Sequence, residues 1–256
     1  MTERYLEGKT ALVSGAGQGV GQGIALALAE RGAAVALLGR SLDKLETTRD
    51  LIQAAGGKAL AVAANVKSAD ELAAAVEASV SHFGGLNILV NNAQEVPLGN
   101  LLDLKEDAIE AGWQSGPVAT FRLMRLCYPH LKGDGVIVNL ASSAAMRWDM
   151  SGYGAYAAVK EAIRSLSRAA ACEWAPEGIR TNVILPHAMS PSLKWWTETR
   201  PDEAAEFVAS IPMRRIGECK EDIGEFVASL CSESCRYVNG QSIALDGGQA
   251  SLGCEK

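Results

Sequence analysis

The sequence predicts one α/β domain over residues 1–256, a doubly wound parallel sheet of about seven strands with helices on both faces. A chain of 256 residues is long enough for one large domain and short for two. Its 48% hydrophobic content and 26 glycines suit a sheet that is buried on both faces and turned repeatedly. Strand-like and helix-like runs alternate from the first residues to the last, which indicates successive βαβ units.

The elements follow from short apolar runs and from helix signals at their ends. Ser41 is a candidate N-cap for the second helix, and glycines at 56 and 57 end it. The predicted strands are residues 10–13, 35–38, 59–63, 87–90, 136–140, 179–185 and 242–245. The predicted helices are residues 23–30, 42–55, 69–83, 103–132, 152–174 and 221–232.

A glycine-rich turn joins the first strand to the first helix. Gly15, Gly17, Gly19 and Gly21 leave no Cβ where the backbone must bend sharply. Free N–H groups at the start of the helix can therefore approach a pyrophosphate, and the helix dipole adds attraction for the anion. A flexible glycine loop is the alternative, and the flanking strand and helix make it the weaker one.

This glycine spacing, GxxxGxG, resembles the nucleotide turn of the short-chain dehydrogenase/reductase family. The resemblance extends in one register over residues 8–248 and implies a Rossmann-like fold. It also implies that the first turn holds the diphosphate of a dinucleotide cofactor. The residues implied to bind the cofactor there are Gly15, Gln18, Gly19, Val20 and Gly21.

The end of the second strand bears on the choice of cofactor. An NAD-selective site has an acidic residue there, whereas this chain has Gly39 followed by Arg40. Arg40 can pair bidentately with a ribose 2′-phosphate, so NADP(H) is favoured over NAD(H). The alternatives are that Arg40 is an ordinary surface arginine and that Asp43 binds the ribose.

Further cofactor contacts are implied after the third and fourth strands. Asn65 and Val66 stand where the family holds the adenine, usually through an aspartate, and the Asn65 amide can bond the base without a charge. Residues 91–94 read NNAQ, close to the family's NNAG. The resemblance implies that Asn91 ties neighbouring strands together and that the next two residues, Asn92 and Ala93, bind the cofactor. Gln94 replaces a glycine and can reshape the pocket.

The helical stretch at residues 103–132 is predicted to break at Gly116 and Pro117. Gly116 stands where the family usually has an asparagine that kinks the helix and helps to hold a relay water. Pro117 has no N–H to donate, so the carbonyl of Trp113 is expected to be free at a bend. Whether that carbonyl holds the relay water is a hypothesis.

The implied catalytic residues follow the fifth strand. Tyr156 and Lys160 are four residues apart and share a helix face. The same spacing occurs at Tyr5 and Tyr128, but only Tyr156 follows the fifth strand at the family's distance. The catalytic serine is Ser142 by strand register or Ser143 by the interval to Tyr156, and we favour Ser142, because a strand fixes register better than a loop.

A phenol with a pKa of about 10 exchanges protons poorly at neutral pH. An ammonium roughly 4 Å away, at an effective dielectric constant of about 20, would lower that pKa by about three units. We therefore expect Lys160 to bring the pKa of Tyr156 near neutrality. The family's arrangement also implies that Tyr156 and Lys160 contact the cofactor, with Lys160 on the nicotinamide ribose.

The last third of the chain is expected to shape the substrate side. Pro186 is implied to contact the cofactor, and His187 replaces the family's glycine as either a substrate ligand or a structural residue. Residues 188–215 are expected to form a mobile cover. Bulky side chains suggest an apolar or aromatic substrate, although ordinary packing is equally compatible with them. They are Trp148, Met150, Met189, Trp195 and Trp196.

The composition of the chain limits the kinds of partner and cofactor that we expect. The net charge of −6 argues against nucleic acid, and no apolar run is long enough to span a membrane, so we expect a cytoplasmic protein. Six cysteines without CxxC pairs or histidine clusters suggest neither a metal site nor a disulfide framework.

The sequence thus predicts an NADP-dependent ketone reductase or alcohol dehydrogenase acting on a small molecule. A non-catalytic NADP-binding or scaffold protein is the alternative, and the family implies a homotetramer or homodimer.

Overall fold

The computed structural model describes residues 3–147 and 152–250. Its strands form one parallel sheet in the order β3-β2-β1-β4-β5-β6-β7, which confirms the predicted doubly wound architecture. The strands are β1 Thr10–Ser14, β2 Ala34–Gly39, β3 Lys58–Ala63, β4 Ile88–Asn91, β5 Gly135–Leu140, β6 Ile179–Pro186 and β7 Ser242–Leu245. The order reverses between β1 and β4, and ligands bind such sheets in the crevice at the carboxyl ends of the strands.

Helices connect the strands across both faces of the sheet. They are α1 Gly19–Glu30, α2 Leu42–Ala54, α3 Ala69–Phe83, α4 Glu106–Trp113, α5 Ala119–Leu131, α6 Gly154–Glu173, α7 Pro191–Thr199, α8 Pro201–Ser210 and α9 Glu225–Leu230. The Ser68 hydroxyl accepts the Glu71 N–H at the start of α3. Ser41 does occupy the N-cap of α2, but its side chain makes no cap hydrogen bond.

The core lies on both sides of the sheet. Neighbouring strand residues point to opposite faces, so Leu12 and Val13 of β1 belong to different hydrophobic clusters, each fully buried. Leu37 and Leu38 of β2 divide in the same way. Burial on both faces explains why these strands read as continuous apolar runs rather than as an alternation of apolar and polar residues.

The helical stretch between β4 and β5 changes form where the break was expected. Residues Gln114–Val118 form a π-helix that joins α4 directly to α5, and Pro117 lies inside it. The Ala119 N–H donates to the carbonyl of Gln114, five residues back. The π-helix shifts the hydrogen bonding by one residue and so accommodates the missing N–H of Pro117. The expectation of an open bend at this place is therefore wrong, because the helix continues through Pro117.

The segment expected to form a cover folds as the helical pair α7 and α8. The Ser190 hydroxyl caps α7 by accepting the Leu193 N–H, and prolines at 191 and 201 occupy the first positions of the two helices. Among the described residues, no helix is both long and apolar enough to cross a membrane. The five cysteines of the described ranges are unpaired, and Cys254 lies outside them.

Candidate active site

A cleft of about 1280 Å³ opens at the carboxyl ends of the strands. It brings together residues that lie far apart in the sequence. The predicted residues that line it are Gly15, Gln18, Gly19, Val20, Arg40, Asn65, Val66, Asn92, Ala93, Ser142, Tyr156, Lys160 and Pro186. Gly21 lies beneath the turn, where an added Cβ would be 2.3 Å from the carbonyl oxygen of Gly15.

The glycine turn forms one end of the cleft. Gly15 has a φ of +69°, and a Cβ there would lie 2.6 Å from Nδ2 of Asn92, so the turn requires glycine. That Asn92 amide donates to the carbonyls of Ser14 and Gly15, which fixes the turn to the end of β4. Gln18 precedes α1 without a side-chain cap, and its Oε1 instead accepts from Lys44. The first N–H groups of α1 can therefore receive an anion.

Three charged residues meet at the carboxyl ends of β2, β3 and β4. Arg40 Nη1 lies 3.1 Å from Glu95 Oε1, and Lys67 Nζ lies 3.0 Å from the same oxygen. Asn65 lies beside them, and its Oδ1 accepts the Lys67 N–H at 3.1 Å. We call Arg40, Lys67 and Glu95 the charged clasp. The sequence indicated Arg40 but neither of the other two residues.

Lys160 lies on the first turns of α6 with its side chain under the end of β5. Lys160 is only 4% exposed, and its Nζ donates to the carbonyl of Leu140 at 2.8 Å. Burial lowers the pKa of Lys160 to about 7, because the charged ammonium loses its hydration. The amine therefore gives up its proton more readily than an ordinary lysine does.

Tyr156 does not have the acidic phenol that the sequence suggested. Burial raises its pKa to about 12, the hydrogen bond with the Ser142 hydroxyl offsets part of this rise, and the neighbouring Tyr153 adds to it. Lys160 does not reverse the effect, because its Nζ lies 5.6 Å from the centre of the Tyr156 ring and its own pKa has fallen to about 7. The protein by itself holds Tyr156 as a neutral phenol, so that expectation is wrong.

The two candidate serines follow β5 and are placed differently. Ser142 is extended, its Oγ accepts the Ala144 N–H at 3.2 Å, and its hydroxyl is the one that hydrogen-bonds Tyr156. Ser143 is 8% exposed and begins a short 3-10 turn. Of the two serines, the geometry thus pairs Ser142 with Tyr156.

Asn91 has the structural contact that the resemblance implied. Its Nδ2 donates to Oδ1 of Asn139 at 2.7 Å, which links the adjacent strands β4 and β5. Asn139 in turn donates to the Ser167 hydroxyl of α6 at 2.8 Å. This buried network fixes the helix that carries Tyr156 and Lys160 to the sheet.

Gln94 occupies space beside Gly116. A Cβ added at Gly116 would lie 3.0 Å from Gln94 Nε2 and 2.8 Å from Val159 Cγ1. Both polar atoms of the Gln94 amide are buried and have no hydrogen-bond partner among the residues that the structure describes. The bulky residue at 94 and the missing side chain at 116 are therefore complementary in shape.

Aromatic side chains line the part of the cleft that was expected to hold the substrate. The His187 ring packs edge-on against Phe207 at 5.2 Å, and Phe207 packs against Trp196 at 5.7 Å. Burial lowers the pKa of His187, and its Nδ1 has no hydrogen-bond partner within the described ranges. Trp195 also lines the cleft.

Other expectations about the substrate end have mixed outcomes. The bulky residues Trp148 and Met150 lie outside the described residues, and Met189 is not among the residues that line the cleft. Phe207 was not singled out in the sequence, since a lone phenylalanine on a helix reads as ordinary packing. Across residues 3–147 and 152–250, no cluster of His, Cys, Asp or Glu could hold a metal ion.

Comparison with known proteins gives consistent matches over nearly the whole chain. A family model described as Enoyl-(Acyl carrier protein) reductase matches residues 15–250. The 12alpha-hydroxysteroid dehydrogenase of Clostridium sp. is 37% identical over 251 residues, which cover 94% of this chain and 96% of that protein. The cyclohexanol dehydrogenase of Acinetobacter sp. is 35% identical over 249 residues, which cover 95% of each.

A solved structure shows the same architecture. A short chain dehydrogenase from Burkholderia cenocepacia, in complex with NADP, matches with a TM-score of 0.90 at 30% sequence identity. The match covers 96% of this chain and all of the other.

Proposed function

Because the chain belongs to the short-chain dehydrogenase/reductase family, we propose that it is an oxidoreductase that transfers a hydride between NADP(H) and a carbonyl or secondary alcohol. The observation that carries the proposal is the cleft itself. It combines a glycine turn at a helix start with Ser142, Tyr156 and Lys160. The named relatives act on hydroxysteroids and cyclohexanol, and this supports an alcohol or ketone as the substrate.

The residues of the cleft fit a dinucleotide. The uncapped start of α1 suits the diphosphate, and the Asn92 amide leaves no room for a side chain at Gly15. Arg40, two-thirds exposed, would hold the 2′-phosphate. The remaining contacts would come from Asn65, Val66, Ala93 and Pro186, with Tyr156 and Lys160 at the reacting end. The match to a structure in complex with NADP supports this choice of cofactor.

The chemistry that NADP(H) supplies when bound is reversible hydride transfer at the substrate carbon. Ser142 donates a hydrogen bond to the substrate oxygen and orients it towards Tyr156. In reduction, the Tyr156 hydroxyl donates its proton to that oxygen, and in oxidation the phenolate removes the proton. The protonated form of Lys160 favours the phenolate by its positive charge.

The aromatic wall supports a bulky apolar or aromatic substrate. Trp195, Trp196 and Phe207 come from α7 and α8 and line the cleft beside His187. Aromatic faces at this position would bury apolar substrate surface and exclude water from the reacting atoms. The pair α7 and α8 is proposed to act as a mobile cover that closes over the substrate.

The proposal is tested by NADPH consumption with a panel of bulky cyclic and aryl ketones. The wild-type protein is expected to reduce at least one of them, and Tyr156→Phe is expected to lose 100-fold or more of that rate, on the order of a general acid's contribution. The phenylalanine variant should bind NADPH as well as the wild type does. Equal turnover by the two proteins would contradict the role of Tyr156.

A non-catalytic NADP-binding protein is the second candidate. The observation that favours it is the bulky Gln94, which lines the cleft where the family has a glycine and whose buried amide has no hydrogen-bond partner among the described residues. NADPH binding without turnover of any ketone or alcohol would support this second function.

Assembly into a homodimer or homotetramer is part of the proposal. Exposed apolar side chains on α4 and α5 support it, since Ile109, Trp113 and Phe121 are each about two-fifths exposed. The helices that the family places between subunits correspond to α4, α5 and α6.

A further inference from the structure

The charged clasp lies beside the part of the cleft that the proposed function assigns to the adenosine, and a single carboxylate oxygen holds it together. Glu95 Oε1 lies 3.1 Å from Arg40 Nη1 and 3.0 Å from Lys67 Nζ, so one acceptor holds two cations. The three residues follow β2, β3 and β4, and Arg40 and Glu95 both line the cleft. The carboxylate thus lies against the cation that the proposed function assigns to the 2′-phosphate.

The backbones that carry the clasp are tied to the body of the protein. The Glu95 N–H donates to the Ser115 hydroxyl at 2.9 Å, within the π-helix. The carbonyl of Lys67 accepts from Arg122 Nη1 of α5 at 2.8 Å. The clasp can therefore open by rotation of its side chains, while the backbones of Glu95 and Lys67 stay in place.

The side chains themselves are free enough to rearrange. Arg40 is 66% exposed, and the side chains of Glu95 and Lys67 are each 33% exposed. Ion pairs of such exposure are weak, because water screens them and the long side chains lose freedom on pairing. A dianionic phosphate is a stronger partner for both cations than a single carboxylate.

We propose that Glu95 competes with the 2′-phosphate of NADP(H) for Arg40 and Lys67, and that Lys67 is a second cation for that phosphate. The inference rests on the proposed function, since it requires that the adenosine end binds at this place. It assigns cofactor selectivity to three residues rather than to Arg40 alone: two cations attract the phosphate, and one carboxylate opposes it.

The test uses two probes that differ only in the 2′-phosphate, adenosine 2′,5′-bisphosphate and 5′-AMP, together with NADPH. Calorimetric titration of the full chain gives their affinities without any turnover. Glu95→Gln is expected to bind the bisphosphate and NADPH about three- to tenfold more tightly than the wild type, with little change for AMP. Lys67→Gln is expected to weaken the bisphosphate by a similar factor and to leave AMP unchanged.

Glu7→Gln is the matched control. Glu7 forms one exposed ion pair with Arg4, so the control makes the same change of charge outside the clasp. It should leave all three affinities unchanged. The Lys67 variant keeps the proposal testable if Glu95→Gln fails to fold.

The outcomes separate this inference from the proposed function. If the wild type binds NADPH but Glu95→Gln binds the bisphosphate equally or more weakly, or if Lys67→Gln is unaffected, the competition is refuted and the oxidoreductase proposal stands. If the wild type binds neither NADPH nor the bisphosphate, the proposed function itself fails.

Discussion

At the residue scale, burial determines the protonation of the two groups on α6. It raises the pKa of Tyr156 to about 12 and lowers that of Lys160 to about 7, so each is driven towards its neutral form. A neutral phenol is suited to donate a proton to a substrate oxygen. The same burial destabilises the folded protein, because an uncharged or weakly charged amine takes the place of one that water would solvate.

Lys160→Met is expected to raise the free energy of unfolding at pH 7 by about 1–3 kcal/mol while it abolishes turnover. The pKa of Lys160 in the folded protein, about 7, lies below the ordinary value of 10.5. The unfolded chain therefore binds more protons at this residue between these values, so the destabilising contribution of Lys160 should shrink as the pH rises across that interval. The variant should lack this contribution. Urea unfolding of the wild type and the variant, at neutral and at alkaline pH, measures the difference in their free energies of unfolding and its change with pH.

Lys132→Met is the control for this prediction. Lys132 pairs with Glu177 at 2.6 Å, and the hydrogen bond with Glu177 raises the pKa of Lys132. Replacing Lys132 should therefore not stabilise the protein. A Lys160→Met protein that is less stable than the wild type at pH 7 would show that the buried amine is stabilising, contrary to this account.

At the element scale, the π-helix between α4 and α5 and the loop after β4 have complementary shapes. Gly116 leaves space that Gln94 and Val159 fill. Gly116→Asn is expected to lower the free energy of unfolding by about 1–3 kcal/mol, because the added side chain overpacks a closed space. Gln94→Ala in the same chain should restore part of that loss, with a coupling free energy above about 0.5 kcal/mol.

The measurement is a double-mutant cycle by urea denaturation. Gly85→Asn serves as the control, because a Cβ at Gly85 meets nothing within 4 Å. Strictly additive effects of the Gly116 and Gln94 changes would show that the two positions do not share space.

At the scale of the whole molecule, the pattern of strands and glycines was sufficient to predict the sheet. The apolar runs and the turn at Gly15 are local features, and local features also indicated the helix with Tyr156 and Lys160. The π-helix was not foreseen, because the adjustment around Pro117 depends on the packing of the whole helical stretch. The pKa of Tyr156 was misjudged, since spacing four residues apart on a helix shows neither burial nor the direction of Nζ.

The sequence alone did not predict contacts between residues that are far apart in the chain. Lys67 and Glu95 follow β3 and β4, and these strands are separated in the sheet by β2 and β1. The two residues meet only because all the strands are parallel, so that their carboxyl ends lie on the same side. Phe207 meets His187 only when α8 folds over the end of β6. In both cases the topology, rather than a motif, creates the contact.

The central claim is that the cleft transfers a hydride to a carbonyl carbon beside Tyr156. Its most direct test supplies NADPH in which deuterium replaces both hydrogens at C4 of the dihydronicotinamide, together with the ketone panel, and analyses the alcohols by mass spectrometry and NMR. The account predicts one deuterium on the carbinol carbon of a product made by the wild type, and almost none of that product from Tyr156→Phe. Absence of any labelled alcohol, or an alcohol whose carbinol carbon carries no deuterium, would contradict it.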